Sequence, residues 1–498
     1  MNKLTLIFFL SIFCVSVSFS QKKNTNTKPY PYGNPVITHM YTADAAPKVM
    51  PDGRLWMVTS VDHENGGGYA TMHAIHAFST DDMVTWIDHG EILGIDDFDV
   101  PKNEDWAIWA PDIVYRNGVY YLYFPMRNVL SDGSIDRYVA VAESDSMYKR
   151  FKITNPRMTG VEKAGLDPAV FIDDDGIAYL YWNQQLMGVL EANMREIKGN
   201  MFKLDIGANN FMEAAWMHKR KGVYYFNYHT KYNNVVSPEN PNDPNRLKSN
   251  LDYSIGTSPK GPLTYQGTMN FELGSNVVNG PKLKDHNYVP WRLTQSNHGG
   301  VVEYHGQEYL FYHTSALSSW RQDEFNGEGT WTQRSVCIDA LNYNEDGTII
   351  PVQQTIEGVK KITINQPFSI QLKPKKAFHV EGLKTSKEKI ISIKNTSSIS
   401  FKNIDLGSGY YYFGVKLLKT PSKGKIEIRK DSVNGYLMGT ILLDNNNSTL
   451  NKGYADTFLR EANGIHHIVL VFINENSEQT IISEPHFLAG SPKKIEHQ

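Results

Sequence analysis

The stretch Asn117-Gly118-Val119-Tyr120-Tyr121 places a polar residue and a glycine at a tight turn, directly before an aromatic-rich run. Such a turn between two strand-like segments is typical of a β-hairpin, because glycine accepts backbone angles that most residues avoid. The same arrangement recurs at residues 52–56, 117–121, 175–179, 221–225 and 305–309. A hairpin that is repeated along one chain in this way predicts an array of similar units.

We expect the residue nine positions before each hairpin glycine to open the preceding strand. These positions are occupied by Asp44, Trp109, Asp167, Glu213 and Asn297, and His298 follows the last of them. In a radial array the innermost strands converge on one axis, so residues in this shared phase are expected to lie close together. The sequence therefore predicts that three carboxylates, a tryptophan and a histidine meet at the axis.

Residues 34–361 contain short strand-like runs separated by Gly, Pro, Asn and Asp, without helical periodicity, which favours an all-β structure. Five units of about four strands each predict a five-bladed β-propeller. Residues 362–376 are rich in Lys, Pro and Gln and are typical of a linker. The strand spacing in residues 377–498, which contain no tryptophan, predicts a β-sandwich of the jelly-roll kind.

Residues 1–20 have the pattern of a secretory signal peptide, and the polar residues 21–33 predict a flexible leader. We therefore expect an exported protein, periplasmic or extracellular, without a membrane span. The net charge of -3, with both signs mixed, gives no indication of a nucleic acid partner. Cys337 is the only cysteine after the predicted signal, so no intramolecular disulfide is expected. Nothing in the sequence indicates the oligomeric state.

The three acids Asp44, Asp167 and Glu213 are each expected to open a strand beside small residues. Carboxylates that lie close together raise at least one pKa, because like charges disfavour one another. A raised carboxyl pKa suits a general acid near neutrality, and two carboxyls on opposite sides of a glycosidic bond can hydrolyse it. The pattern predicts a glycoside hydrolase, with the alternative that these acids cap turns or bind a structural cation.

Three further residues are candidates for the same site, and each has a structural alternative. Trp109 would offer a flat wall to a sugar, or it packs between blades. His298 would hydrogen-bond the acids or hold a cation through water, or it is a buried imidazole. Arg334 would contact either substrate or a carboxylate, or it forms a simple salt bridge.

The runs at 41–47, 109–112, 165–169, 213–216 and 297–300 resemble the motifs of glycoside hydrolase family 43. The resemblance implies a five-bladed propeller and an inverting hydrolase. It implies that Asp44 is the general base, that Glu213 is the general acid, and that Asp167 orients the acid and adjusts its pKa. It also implies that no cofactor is required for the chemistry, although many members carry a calcium ion on the propeller axis near the residue that matches His298.

Family members act mostly as β-xylosidases and α-L-arabinofuranosidases, so the resemblance implies a plant or algal polysaccharide or derived oligosaccharide as substrate. A galactan-directed glycosidase of the same fold is an alternative, as is a non-catalytic sugar-binding propeller. A further alternative is a propeller enzyme that retains configuration through a carboxylate or tyrosine nucleophile. The segments 424–432 and 435–441 resemble a family 6 carbohydrate-binding module. The missing tryptophan leaves open whether this domain binds sugar or supports the propeller.

Overall fold

The computed structural model describes residues 33–64, 68–159, 161, 165–230, 250–271, 297–318, 321, 333–444, 453–475 and 478–494. The predicted signal peptide and nearly all of the predicted leader lie outside these residues. Within the described ranges, no helix is long and apolar enough to cross a membrane.

The N-terminal domain consists of antiparallel sheets whose strands follow one another along the chain. The first blade contains β1 (Tyr41–Val49), β2 (Leu55–Asp62), β3 (Ala74–Thr80) and β4 (Ile87–Gly94). The second contains β5 (Trp106–Ile108), β6 (Asp112–Arg116), β7 (Val119–Val129), β8 (Ile135–Ser144) and β9 (Lys152–Asn155), with β5 and β6 both paired to β7. The third contains β10 (Ala169–Ile172), β11 (Ala178–Trp182), β12 (Leu186–Leu190) and β13 (Ile197–Lys203).

The fourth blade contains β14 (Phe211–Arg220), β15 (Val223–Thr230), β16 (Leu251–Gly256) and β17 (Thr264–Asn270). The fifth contains β18 (Gly299–Tyr304), β19 (Gln307–Thr314), β20 (Ser335–Tyr343) and β21 (Ile349–Ile350). Strands β1, β6, β10, β14 and β18 contact one another in turn and form the innermost ring. The predicted five-bladed propeller is therefore confirmed.

The segment before β1 closes the ring by bonding to the last blade. The amide of Val36 donates to the carbonyl of Val336 at 2.9 Å, and that of Asn34 donates to Ile356 at 3.0 Å. The buried side chain of Asn34 also donates to the carbonyl of Thr355 at 2.9 Å. Because these bonds join opposite ends of the domain, the first and fifth blades are held together.

The C-terminal domain is a sandwich of two sheets around one apolar core. One sheet has the order β24 (Leu383–Ser386), β25 (Lys389–Ser392), β32 (Thr480–Leu488), β27 (Tyr412–Lys419) and β30 (Tyr454–Phe458), with β22 (Ile370–Gln371) paired to β32. The other has the order β23 (His379–Glu381), β26 (Thr396–Asp405), β31 (Ile465–Asn474), β28 (Lys423–Lys430) and β29 (Leu437–Asp444). The segment 362–376, predicted as a linker, thus contains a strand of the sandwich. Short 3-10 helices lie at Gly68–Thr71, Ile95–Asp97, Asn183–Gln185 and Pro374–Lys376.

The sandwich packs against the base of the propeller, by which we mean the end where the innermost strands finish. The guanidinium of Arg460 donates to the carboxylate of Asp174 at 2.8 Å and to the carbonyl of Ile172 at 2.6 Å. The hydroxyl of Tyr115 donates to the buried carboxyl of Asp456 at 2.7 Å, and that of Tyr412 donates to a propeller backbone carbonyl at 2.9 Å. These bonds fix the orientation of the two domains.

Candidate active site

Irregular backbone turns the three predicted acids toward the axis. Asp44 and Asp167 have φ of +56° and +50°, and Ala214, which follows Glu213, has φ of +59°. The pairing register also shifts beside Asp44 in β1 and beside Glu213 in β14. A bulge of this kind re-aims a side chain that strict alternation would direct elsewhere. Aspartate tolerates the left-handed region, whereas alanine does not, so the conformation at Ala214 is strained.

Asp44 is 3% exposed, and both of its carboxylate oxygens have partners. Oδ1 accepts a hydrogen bond from Arg334 Nη1 at 2.8 Å and lies 2.9 Å from Nδ1 of His298, while Oδ2 accepts from the hydroxyl of Ser60. The backbone amide donates to Nδ1 of His313 at 3.3 Å. Burial acts to raise the pKa of Asp44, but the charges of Arg334 and His298 outweigh it and lower that pKa well below its usual value.

Arg334 lies between two carboxylates and is only 2% exposed. Its Nη2 and Nε donate to the two oxygens of Asp62 at 2.8 and 3.0 Å, and its backbone amide donates to the same carboxylate at 2.8 Å. Burial opposes the charge on Arg334, but Asp44 and Asp62 together raise the pKa of the guanidinium. The arginine therefore stays charged inside the domain and connects Asp62 to Asp44.

Asp167 and Glu213 approach the axis from the third and fourth blades. Oδ2 of Asp167 accepts a hydrogen bond from the amide of Ala214 at 3.0 Å, directly after Glu213 in the chain. Burial raises the pKa of Asp167, His298 opposes this effect, and the nearby carboxylates of Glu213 and Asp44 add to it. Glu213 is 8% exposed, and its Oε1 lies 3.3 Å from Nδ1 of the buried His229.

His298 connects two of the acids. Its Nδ1 lies 2.9 Å from Asp44, and its Nε2 lies 3.6 Å from Asp167. Burial opposes protonation, but these two carboxylates raise the pKa of His298 well above its ordinary value. The imidazole therefore carries a positive charge between Asp44 and Asp167.

The side chain of Lys48 crosses the axis beneath the acids. Its ammonium nitrogen lies 3.4 Å from the carboxylate of Asp112, 3.3 Å from the carbonyl of Val170 and 4.1 Å from the ring centre of Trp216. These partners belong to the second, third and fourth blades, so Lys48 closes the central channel. On the other side of this layer, a cavity of about 320 Å³ lies between the base of the propeller and the sandwich.

Trp109 lies between β5 and β6, beside the site rather than among the acids. Its indole donates to the carbonyl of Tyr69 at 2.7 Å, and the guanidinium of Arg137 lies 5.5 Å from its ring centre. The adjoining Ala110 and Pro111 line the pocket between the acids. Of the predicted site residues, the structure brings together Asp44, Asp167, Glu213, His298 and Arg334.

Sequence reasoning missed the partners of these residues on the second strands of the blades. Ser60, His229 and His313 each follow a hairpin glycine by seven positions, and Asp62 lies two residues after Ser60. Since the second strand runs antiparallel to the first, this position lies near the phase that carries the acids. The repeat therefore contained a second informative position.

Asp44, His298 and His313 offer ligand atoms within 4.8 Å of one another, the one such group in the part of the chain that is described. Calcium takes six to eight oxygen ligands as a rule, whereas two of these three residues offer nitrogen. Both ring nitrogens of His298 already face carboxylates. The group therefore does not fit a calcium ion that is bound directly by protein atoms.

The family profile described as "Glycosyl hydrolases family 43" matches residues 32–349, which is more than half of the chain. The chain belongs to glycosyl hydrolase family 43. The profile of the family 6 carbohydrate binding module matches residues 371–484 of this family 43 glycosidase. The interpretation of the chain as a glycoside hydrolase with a module of this type is thus confirmed.

The family 43 chain is 27% identical to an arabinoxylan arabinofuranohydrolase of Bacillus subtilis (strain 168), over 94% of this chain and 94% of that protein. It is 30% identical to a xylosidase/arabinosidase of Bacteroides ovatus, over 64% of this chain and 95% of that protein. A solved structure of a family 43 arabinoxylan arabinofuranohydrolase from Bacillus subtilis, in complex with cellotetraose, has a TM-score of 0.51 and 22% identity, over 93% of this chain and 98% of that chain. At that identity the structural similarity supports the fold alone.

Proposed function

We propose that this glycosidase is an inverting α-L-arabinofuranosidase that removes arabinose side groups from arabinoxylan. The observation that carries the substrate is the similarity to an arabinoxylan arabinofuranohydrolase along 94% of both chains, which includes both domains. The xylosidase/arabinosidase of Bacteroides ovatus matches 64% of this chain. An exported enzyme, as the predicted signal peptide implies, would meet such a polymer outside the cytoplasm.

In the proposed reaction Asp44 is the general base and Glu213 is the general acid. Asp44 takes a proton from a water molecule, whose oxygen forms a bond to the anomeric carbon. The bond from that carbon to the leaving oxygen breaks, and Glu213 gives its proton to the leaving oxygen. Attack and departure on opposite faces of the sugar invert the configuration.

The surroundings of Asp44 support its role as the base. Arg334 and His298 lower the pKa of this carboxyl although burial opposes them, so it is ionised and able to accept a proton at neutral pH. Asp167 is assigned the orientation of Glu213, because it accepts a hydrogen bond from the amide of the following residue at 3.0 Å. Trp109 is assigned to the wall of the substrate pocket.

β-Xylosidase activity is the second candidate, and the 30% identity to a xylosidase/arabinosidase favours it. A galactan-directed activity is the third candidate. The chain is 27% identical to a protein named β-D-galactofuranosidase, over 90% of that protein. The three candidates share the same acids and differ in the sugar that the pocket accepts.

The test is hydrolysis of 4-nitrophenyl α-L-arabinofuranoside, β-D-xyloside and β-D-galactofuranoside, together with arabinoxylan, by the native protein and by Glu213→Gln. We expect release of arabinose from the first glycoside and from arabinoxylan, with inversion seen by NMR. A preference for the xyloside would replace the first proposal by the second. Retained configuration would exclude the proposed roles of the acids. If neither the native protein nor Glu213→Gln hydrolyses any of these substrates, a sugar-binding propeller is favoured.

A further inference from the structure

Two polar side chains at the end of β2 contact Asp44, Ser60 directly and Asp62 through Arg334. Ser60 and Asp62 are separated by one residue, so they point to the same face of the sheet. Ser60 is fully buried, and Asp62 is 7% exposed. The hydroxyl of Ser60 donates to Oδ2 of Asp44, and the carboxylate of Asp62 accepts three hydrogen bonds from Arg334.

We propose that Ser60 and Asp62 are positioning residues that aim the carboxylate of Asp44 at the attacking water. The inference rests on the proposed role of Asp44 as the general base. Ser60 and Asp62 lie on the second strand of the first blade, whereas the roles in the proposed reaction belong to residues of the innermost ring and to Arg334.

Ser60 determines which oxygen of Asp44 is free to act. Oδ1 already faces Arg334 and His298, at 2.8 and 2.9 Å. Oδ2 faces the hydroxyl of Ser60, which occupies one of its lone pairs and leaves the other for the proton of water. The same hydroxyl lies 3.4 Å from the carbonyl of Ala43, so the residue before Asp44 also fixes the orientation of the Ser60 hydroxyl. Without Ser60, Oδ2 would lose this hydrogen bond, and rotation of the carboxylate about its Cβ–Cγ bond would be less restricted.

Asp62 determines how Arg334 meets Asp44. An arginine that is free to move binds a carboxylate with two parallel hydrogen bonds, which would occupy both oxygens of Asp44. Asp62 takes Nη2, Nε and the backbone amide, so only Nη1 of Arg334 reaches Asp44. Asp62 therefore keeps Oδ2 of the base available.

The test compares the loss of activity on two arabinofuranosides with different leaving groups. A nitrophenolate leaves without help from an acid, whereas an alcohol of a xylo-oligosaccharide needs protonation. A defect in the base reduces both reactions, and a defect in the acid reduces mainly the second. We expect Ser60→Ala and Asp62→Asn to lower kcat by about 100-fold on both substrates, with KM little changed, because a misplaced reacting group costs about that factor. Glu213→Gln should lose far more activity on the oligosaccharide than on the nitrophenyl glycoside.

Conservative variants and matched controls separate positioning from stability. Ser60→Thr keeps the hydroxyl and should recover most of the activity. Ser254→Ala removes another buried serine hydroxyl, and Asp174→Asn removes another buried acid that is paired with cations; both lie outside the site and should retain native kcat. If Asp62→Asn does not fold, Ser60→Ala and Ser60→Thr decide the question.

Two results would overturn the inference. One is a kcat for Ser60→Ala within about twofold of native, since a base that needs aiming would lose far more. The other is a loss confined to the oligosaccharide, which would indicate an effect on Glu213. A native protein that hydrolyses the xyloside and no arabinofuranoside would replace the proposed substrate, and the same variants would then be compared on xylosides. A native protein that hydrolyses no glycoside would refute the role of Asp44 as the base, and the inference with it.

Discussion

Replacing Arg460 with methionine would test how the sandwich is held against the propeller. The arginine is largely buried, and its two hydrogen bonds to Asp174 and Ile172 measure 2.8 and 2.6 Å. Hydrogen bonds to charged groups contribute about 1.5–3 kcal/mol each. Asp174 retains Lys219 at 2.8 Å, and methionine keeps the aliphatic contacts, so we expect the docked state to lose about 2–4 kcal/mol.

Two backbone amides at the interface report this free energy directly. The amide of Asn117 donates to Asp456 at 3.1 Å, and that of Lys221 donates to Glu461 at 2.9 Å. Each amide donates to a carboxylate of the sandwich, so undocking removes its hydrogen-bond acceptor and should speed its exchange. A loss of 2–4 kcal/mol corresponds to about 30- to 700-fold faster hydrogen exchange at these positions.

The matched control is Arg429→Met, because Arg429 also makes two hydrogen bonds of 2.7 Å, to Glu427 and Gly435. Both partners of Arg429 belong to the sandwich itself. Arg429→Met should therefore leave the exchange of Asn117 and Lys221 unchanged. Unchanged exchange of these two amides in Arg460→Met would refute the assignment of Arg460 as the clamp between the domains.

Three further predictions concern the site. Arg334→Met removes a cation that lowers the pKa of Asp44, so this pKa should rise. The acidic limb of the pH profile of kcat/KM should then move to higher pH. A limb that does not move would show that the ion pair does not set the pKa of Asp44. Trp109→Ala should raise KM more than it lowers kcat, since a wall of the pocket contributes binding; a lower kcat at constant KM would exclude that role. Dialysis against EDTA should leave kcat unchanged, because the proposed steps use side chains alone. A loss of kcat that Ca²⁺ restores would contradict this expectation.

The convergence of the acids was predictable because it depends on a short-range rule. The innermost strands begin at different distances from their hairpin glycines, but residues at the same offset from the glycine lie at corresponding positions of neighbouring blades. Asp44, Asp167 and Glu213 therefore share one position in the repeat as well as one place in the fold. The left-handed conformations could not be predicted in the same way, because those at Asp44 and Ala214 accompany bulges within the pairing.

The pairing of Arg334 with Asp44 and Asp62 could not be predicted from the repeat, in contrast to the shared position of Ser60, His229 and His313. Arg334 is 290 residues from Asp44 in the chain, and the two meet because the first and fifth blades are adjacent after ring closure. Asp62 becomes relevant only once Arg334 is in place. The docking of the sandwich was likewise beyond the sequence, since the contact between Tyr115 and Asp456 joins residues with no shared pattern.

Among the described residues, Lys48 closes the end of the pocket that faces the sandwich. Because its ammonium group contacts Asp112, Val170 and Trp216 across the axis, a small sugar cannot pass through the centre of the propeller. In the proposed reaction, the released arabinose therefore has to leave by the side from which the polymer entered. Free arabinose would then compete with substrate for the same pocket, and we expect competitive product inhibition.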